Sequence, residues 1–316
     1  MRHPGPEAVP VSPARPAAGV DLRGLGALLL LAVMWGASIP VIKLGLRDLP
    51  PLTLTALRYV TAVPFFAWSL RHHWEEVRRH LGPLALLAVL NAIPGQVLQT
   101  VAVRYTTATV ATLLSATIPL WFVALASLRL GQRLGRRQWT GLAVAMGGIT
   151  LLVVGDPRDL SGLWSFRAFT GNLFILGSAA SVALFYALSA GLGLRLSPMV
   201  VAGGTSVLGA VALVPFSLWE LAHQPLRPTA TVTGIGAVLY LAVLVTYVGL
   251  QIWFTVLQKV PASIAGALQY LQPVVGVSLS ALLLGETLTA HFAAGAVLVL
   301  VGIGVVTSGS RRREPG

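Results

Sequence analysis

Chemistry inside an apolar chain must come from the few polar groups that interrupt it, and here those groups are mostly neutral. Asn91, Gln96 and Gln99 punctuate one apolar stretch, with Pro94 loosening the backbone between them. Tyr240, Tyr247 and Gln251 punctuate another at spacings of seven and four, which places them on one helix face. Gln269, Tyr270 and Gln272 come just before Pro273, and Trp35 stands one helical turn before Ser38. Carbonyls freed beside amide side chains can coordinate a zwitterionic solute. Amides in an apolar setting can also bind one another across helices, so the same cluster reads equally as interhelical glue. Trp35 has the same two readings, a cavity wall or packing.

Arg58 is the most informative single charge. It lies within an apolar stretch, where an unpaired guanidinium costs about 3 kcal/mol. Either it binds an anion or gates, or it snorkels and is satisfied by backbone carbonyls near a helix end. Lys43 and Glu286 fall at the ends of apolar stretches. Lys43 reads as interfacial, and Glu286 as a cap or interfacial charge that fixes the turn before the last helix. The other Asp and Glu residues fall in loops or tails, which argues against a dedicated proton relay through the apolar segments.

Enzyme signatures are absent. Gly36-Ala37-Ser38-Ile39 has the look of an intramembrane protease serine, but such a serine needs a histidine base. His3, His72, His73, His80, His223 and His291 all fall in loops, tails or segment ends, and no His-Glu-x-x-His zinc motif occurs. The chain has no cysteine, which excludes thiol chemistry, disulfides and cysteine metal sites. No catalytic residue, cofactor or metal is expected.

The elements that must position these groups are long apolar helices. Hydrophobic residues make up 55% of the chain and charged residues only 10%, against about 25% charged in a soluble domain, and mean hydropathy is +0.80. Apolar runs long enough for a hydrocarbon core of roughly 30 Å recur near 24–43, 51–70, 83–103, 108–128, 138–155, 171–191, 198–219, 232–256, 262–284 and 290–308. A net charge of +12 could point to nucleic acid, but the positions of the cations argue otherwise. Most fall on one side of the alternating segments, including Arg71, Arg78, Arg79, Arg129, Arg133, Arg136, Arg137 and Arg311 to Arg313. That bias is an orientation signal, with both termini cytoplasmic.

The chain is also written twice. Ala108, Ala111, Leu114, Pro119, Leu130, Gly131, Gly141 and Gly148 return 154 positions later as Ala262, Ala265, Leu268, Pro273, Leu284, Gly285, Gly295 and Gly302. Val63-Pro64-Phe65 returns as Val214-Pro215-Phe216. The expected organisation is a disordered proline-rich tail over 1–20, repeats over 21–155 and 171–309, an outward linker over 156–170 and a basic tail over 310–316. Five helices per repeat force the second to enter the membrane inverted, as in alternating-access carriers.

The segments Met34-Trp35-Gly36-Ala37-Ser38, Leu57-Arg58-Tyr59, Arg104-Tyr105-Thr106 and Leu284-Gly285-Glu286, with the duplication, resemble EamA-type drug/metabolite transporters over most of 24–308. The resemblance implies an all-α integral membrane protein of the inner membrane, with ten transmembrane helices in two inverted five-helix repeats and a substrate cavity between them. It departs from the family pattern at Gln132 and Gln272, where glutamate is usual, and at Val182, where tryptophan is common.

The expected function is export of small polar metabolites, amino acids or related zwitterions. The expected cavity residues are Trp35, Ser38, Asn91, Gln96, Gln99, Tyr240, Tyr247, Gln251, Gln269, Tyr270 and Gln272. Arg58, Lys43 and Glu286 are the charge or gating candidates, and Pro94, Pro119 and Pro273 the flexible points. Organic-anion or sugar exchange using Arg58 and Lys43 is the alternative, and a non-transporting scaffold the third reading. The partners are a small-molecule substrate and the lipid bilayer, without nucleic acid. Substrate identity, direction, a proton or other coupling ion, and oligomeric state stay open.

Overall fold

A computed structural model describes residues 22–118, 120–121, 125, 135–154, 166–193, 196–224, 231–257 and 271–310. Among these the regular structure is entirely helical. The first apolar run forms two helices, α1 (Leu22–Gly36) and α2 (Ser38–Gly45), meeting at Ala37. Then come α3 (Pro51–Leu70), the short α4 (Trp74–Arg79) and α5 (Leu81–Leu90). After α5 the chain winds as a π-helix over Asn91–Val97 and returns to α-helix in α6 (Leu98–Tyr105). The next are α7 (Ala108–Ser115), α8 (Arg136–Val154), α9 (Phe166–Gly193) and α10 (Pro198–His223). A second π-helical stretch, Tyr240–Val248, interrupts α11 (Val232–Leu239) and α12 (Gly249–Leu257). The described chain closes with α13 (Leu271–Leu284) and α14 (Ala290–Ser310).

Local chemistry sets the helix starts. Pro51 and Pro198 occupy first-turn positions, where a missing N–H costs nothing. Ser197, Thr107 and Thr231 are N-caps whose hydroxyls accept from Val200 N, Val110 N and Gly234 N. Gly285, at φ +68°, ends α13 in the left-handed conformation that glycine adopts without strain.

Among the described residues, five helical stretches are long and apolar enough to cross a membrane: 26–45, 81–105, 166–189, 198–223 and 232–256. Shorter apolar helices cover 139–152, 271–284 and 290–305. The chain is a multi-pass membrane protein on this evidence of length and composition. Trp68, Trp74 and Trp139 are more than half exposed, as interfacial residues should be.

Packing pairs elements that are distant in sequence: α14 lies along α8 and α10 along α3. Glycines bring the first pair together. A Cβ on Gly302 would lie 2.4 Å from the Ala145 nitrogen, and one on Gly148 would lie 2.6 Å from the Val299 nitrogen. A small cluster of Ala56, Tyr59, Ala92, Ala210 and Leu213 accompanies two larger apolar cores. One contains Leu31, Phe66, Leu87, Phe185, Leu250 and Phe254; the other contains Ile39, Leu54, Ala102, Ile175, Leu241 and Val245. Every long helix contributing to both cores must cross the level between them.

Candidate functional site

One group of polar side chains lies at that middle level. On α3, Arg58 lies between Leu54 of one core and Phe66 of the other. It is only 7% exposed. Its Nε donates to Thr246 Oγ1 at 2.6 Å and its Nη1 to Gln96 Oε1 at 2.7 Å. Thr246 spends its own proton on the Leu241 carbonyl at 2.8 Å, which leaves a lone pair for the guanidinium. Gln96 and Thr246 belong to the two π-helical stretches, so each wide turn supplies one ligand to the same cation. Single π-turns inside α-helices recur at functional sites because they misalign the backbone ladder.

The carbonyls released by this misalignment are claimed by side chains. Pro94 lacks an N–H, and the Leu90 carbonyl four residues earlier instead accepts from Ser181 Oγ at 2.8 Å. Ser178 Oγ donates to the Gly95 carbonyl at 2.6 Å. In the second stretch the Val245 carbonyl accepts from Trp35 Nε1 at 3.1 Å. Gly249 makes room for that indole: a Cβ there would lie 2.4 Å from Nε1.

Trp35 joins Tyr186 and Trp253 in a three-ring wall, with centroids 6.4, 5.6 and 5.1 Å apart. Trp253 is 8% exposed, and its buried Nε1 has no hydrogen-bond partner.

Carboxylates occupy the ends of the bundle, each reaching across from one portion of the chain to the other. Glu220 accepts from Leu52 N at 3.2 Å, Thr53 N at 2.7 Å and Thr53 Oγ1 at 2.9 Å. Glu286 accepts from Ala108 N and Thr109 N, both at 2.8 Å, and from the Thr109 hydroxyl. Asp48 accepts from the Thr231 hydroxyl. These three share the bundle end at which α2 finishes and α3 begins. At the opposite end Glu76 accepts from Ser197 N at 3.3 Å. Each carboxylate serves a helix N-terminus, where free N–H groups and the helix dipole favour negative charge.

The expected site residues divide between these settings. Gln96 and Arg58 are bonded to each other, and Trp35 bonds the carbonyl of Val245, the residue before the Thr246 that holds Arg58. Asn91 is buried and donates to Tyr59 Oη at 3.2 Å, and Tyr240 Oη donates to the Met34 carbonyl at 2.9 Å. Ser38 bonds the Trp35 carbonyl at 2.6 Å, and Gln99 reaches Ser115 Oγ at 3.4 Å. Tyr247 packs on Phe65 and Phe66 with Ser69 Oγ at 3.4 Å, and Gln251 approaches Met199 Sδ at 2.8 Å. Gln272 Nε2 is buried without a partner, next to the buried Pro273. Pro94 lies inside the first π-stretch. Gln269, Tyr270 and Pro119 lie outside the described residues.

Lys43 stands apart from Arg58, donating to the carbonyls of Val103 and Thr106 at 2.7 and 2.6 Å, where it caps the C-terminus of α6. Glu286, expected as a cap or interfacial charge at the turn before the last helix, is a cap, and the helix it caps is α7. Glu220, read from sequence as a loop residue, is in the last turn of α10 and 4% exposed.

Sequence reasoning missed Thr246, Ser178, Ser181, Tyr186 and Trp253. The two serines carried a signal, since they lie three apart on one face of an apolar helix. Threonine and aromatic residues in apolar runs carry none. A further cavity of about 400 Å³ opens beside Glu286, lined by Thr107, Thr109, Leu152, Thr289, His291 and Phe292. Among the described residues no cluster of His, Cys, Asp and Glu could hold a metal ion.

The sequence profile of the EamA-like transporter family matches residues 22–154 and 169–308. A protein of Salmonella typhimurium named a probable amino-acid metabolite efflux pump is 31% identical over 298 residues, covering 90% of this chain and 95% of its own. The Escherichia coli K12 protein of that name is 30% identical, with coverages of 90% and 95%. YedA of Escherichia coli K12, an uncharacterized inner membrane transporter, is 28% identical and covers 84% of each chain. One crystal structure superposes on 92% of this chain and 99% of its own with a TM-score of 0.64. At 19% identity it supports the fold alone.

Proposed function

The chain belongs to the EamA-like transporter family, and we propose that it exports small zwitterionic metabolites, amino acids or their relatives, across the inner membrane. The relatives described above are transporters by name, and two of them are named for amino-acid metabolites. The observation that carries the reading is the buried polar level between the two apolar cores. There Arg58 from one portion of the chain is held by Gln96 and Thr246, and Thr246 comes from the other portion. A solute entering that level touches both portions at once, which alternating access requires.

The architecture proposed is ten transmembrane helices in two inverted five-helix repeats, 21–155 and 171–309, with both termini cytoplasmic. The five long spans support this reading, and the three shorter apolar helices and the 20-residue α3 are consistent with it. Rocking of the repeats about the π-helical stretches exposes the polar level alternately to each side. Neutral groups dominate that level, which favours facilitated diffusion over a dedicated proton relay.

Efflux of a labelled metabolite panel from cells overproducing the protein tests the proposal, followed by flux in proteoliposomes. Amino acids or related zwitterions should leave faster than from control cells. Flux confined to organic anions would favour exchange through Arg58, and no flux of any solute would leave the scaffold reading.

A further inference from the structure

We infer that Arg58 is the docking group for the carboxylate of an α-amino acid with an apolar side chain, which rests on a zwitterion reaching the polar level. Arg58 is buried between two apolar cores, and among the described residues no carboxylate pairs with it. A buried guanidinium without a counter-ion is costly in a membrane. The protein cannot supply the missing charge from its described acids. Asp48, Glu76, Glu220 and Glu286 are engaged at helix N-termini at the bundle ends, and Glu75 pairs with Arg79 at 3.2 Å. The anion must therefore come with the solute.

The geometry around Arg58 is suited to such an exchange. Its two present ligands are neutral oxygens on Gln96 and Thr246, and the guanidinium fork offers more donors than these occupy. Replacing a neutral acceptor with a bidentate carboxylate gives shorter, stronger hydrogen bonds. Release of Gln96 is itself useful: its amide oxygen then becomes an acceptor for the solute's ammonium. That solves how a level without carboxylates recognises a zwitterion.

The ring wall supplies the third contact. Trp35 hangs from the Val245 carbonyl, one residue before the Thr246 that holds Arg58. Its partners Tyr186 and Trp253 extend an aromatic surface from the indole. The unpaired Nε1 of Trp253 marks this wall as an incomplete environment, because buried indole N–H groups ordinarily find acceptors.

Equilibrium binding to purified protein in lipid nanodiscs provides the test, with L-leucine, L-leucinamide and 4-methylpentanoate as probes. L-leucine should bind wild-type protein about tenfold or more tightly than its amide, the equivalent of one charge-assisted hydrogen bond. Arg58→Gln should bring that ratio close to one, and Arg58→Lys, which keeps the charge but loses the fork, should fall between. If Arg58→Gln fails to fold, Arg58→Lys and Gln96→Leu carry the test. Gln96→Leu should lower the preference for L-leucine over 4-methylpentanoate, because it removes the acceptor for the ammonium together with the amide that a carboxylate has to displace.

Equal affinity of wild-type protein for L-leucine and L-leucinamide would overturn the inference, as would no binding of L-leucine at all. A ratio that survives in the Arg58 variants would overturn it too. The two readings fail separately. Amino-acid flux in proteoliposomes with no acid-over-amide preference keeps the exporter and removes Arg58. Acid-over-amide binding without flux keeps Arg58 and removes the exporter.

Discussion

Glu220→Ala should destabilise the fold far more than Glu286→Ala, although both carboxylates accept three hydrogen bonds at the start of a helix in the other portion of the chain. Glu220 is 4% exposed, so its removal leaves Leu52 N and Thr53 N without an acceptor in a place water reaches poorly. Each orphaned buried donor costs about 1–3 kcal/mol. The Thr53 hydroxyl loses less, because Ser217 Oγ lies 3.3 Å away. The total is about 3 kcal/mol. Glu286 is half-buried and beside an open cavity, so water replaces it and the loss is about 1 kcal/mol, that of an ordinary cap. At about 2 °C per kcal/mol for a chain of this size, apparent melting temperature should fall by about 6 °C and about 2 °C. Scans in one detergent at one heating rate read this, since unfolding here is governed by rate as well as equilibrium. A Glu220→Ala protein melting within about 1 °C of wild type, or a larger loss for Glu286→Ala, would refute the reasoning from burial.

Other outcomes follow from single contacts. Glu286→Gln keeps an acceptor oxygen at the α7 N-terminus, so the pH dependence of transport should stay nearly unchanged; loss of proton-driven flux in folded protein would make Glu286 a coupling group. Gly302→Val should abolish folded yield, because even a Cβ would lie 2.4 Å from backbone, while Gly304→Val, facing open space, should not; size-exclusion profiles of tagged protein separate the two. Reporters fused after Ser308 and within 71–80 should give cytoplasmic signals and those within 156–167 external ones; a cytoplasmic 156–167 would mean an even number of crossings before it.

The helices were legible because crossing a membrane demands long apolar runs, and few sequences satisfy that by accident. The run expected over 198–219 extends to His223 because Glu220 is drawn inward by Leu52 and Thr53. No local pattern announces a carboxylate that caps a helix 167 positions away. Pro94 marked the first π-stretch, whereas Tyr240–Val248 contains neither proline nor glycine and reads as plain apolar helix. Arg58 was visible as a charge in the wrong solvent. Its ligands were half visible: glutamine in an apolar run attracts notice, but Thr246 looks like one more β-branched residue. The aromatic wall was invisible for a similar reason, since Tyr186 and Trp253 fit equally well as packing.

The carboxylates add a constraint on how such a bundle could move. Asp48, Glu220 and Glu286 join the portion before residue 155 to the portion after 165 at one end, and Lys43 ties α2 to the end of α6 there. At the opposite end only Glu76 makes a carboxylate link of this kind among the described residues. Any rocking that opens the first end must pull three helix N-termini away from their acids. Opening at the opposite end breaks one longer contact. Charge-assisted bonds, above all the buried ones from Thr53 to Glu220, resist separation more than the glycine-lined contact of α8 with α14, which can slide without leaving a polar group unpaired. On the proposed rocking mechanism, closure at the three-carboxylate end is the favoured resting state. A solute that gives Arg58 its counter-ion acts at the middle level, where both π-stretches meet the guanidinium, and not at the caps themselves. Solute binding and end closure are then separable, and weakening a cap should shift which end is open without altering what the middle level recognises.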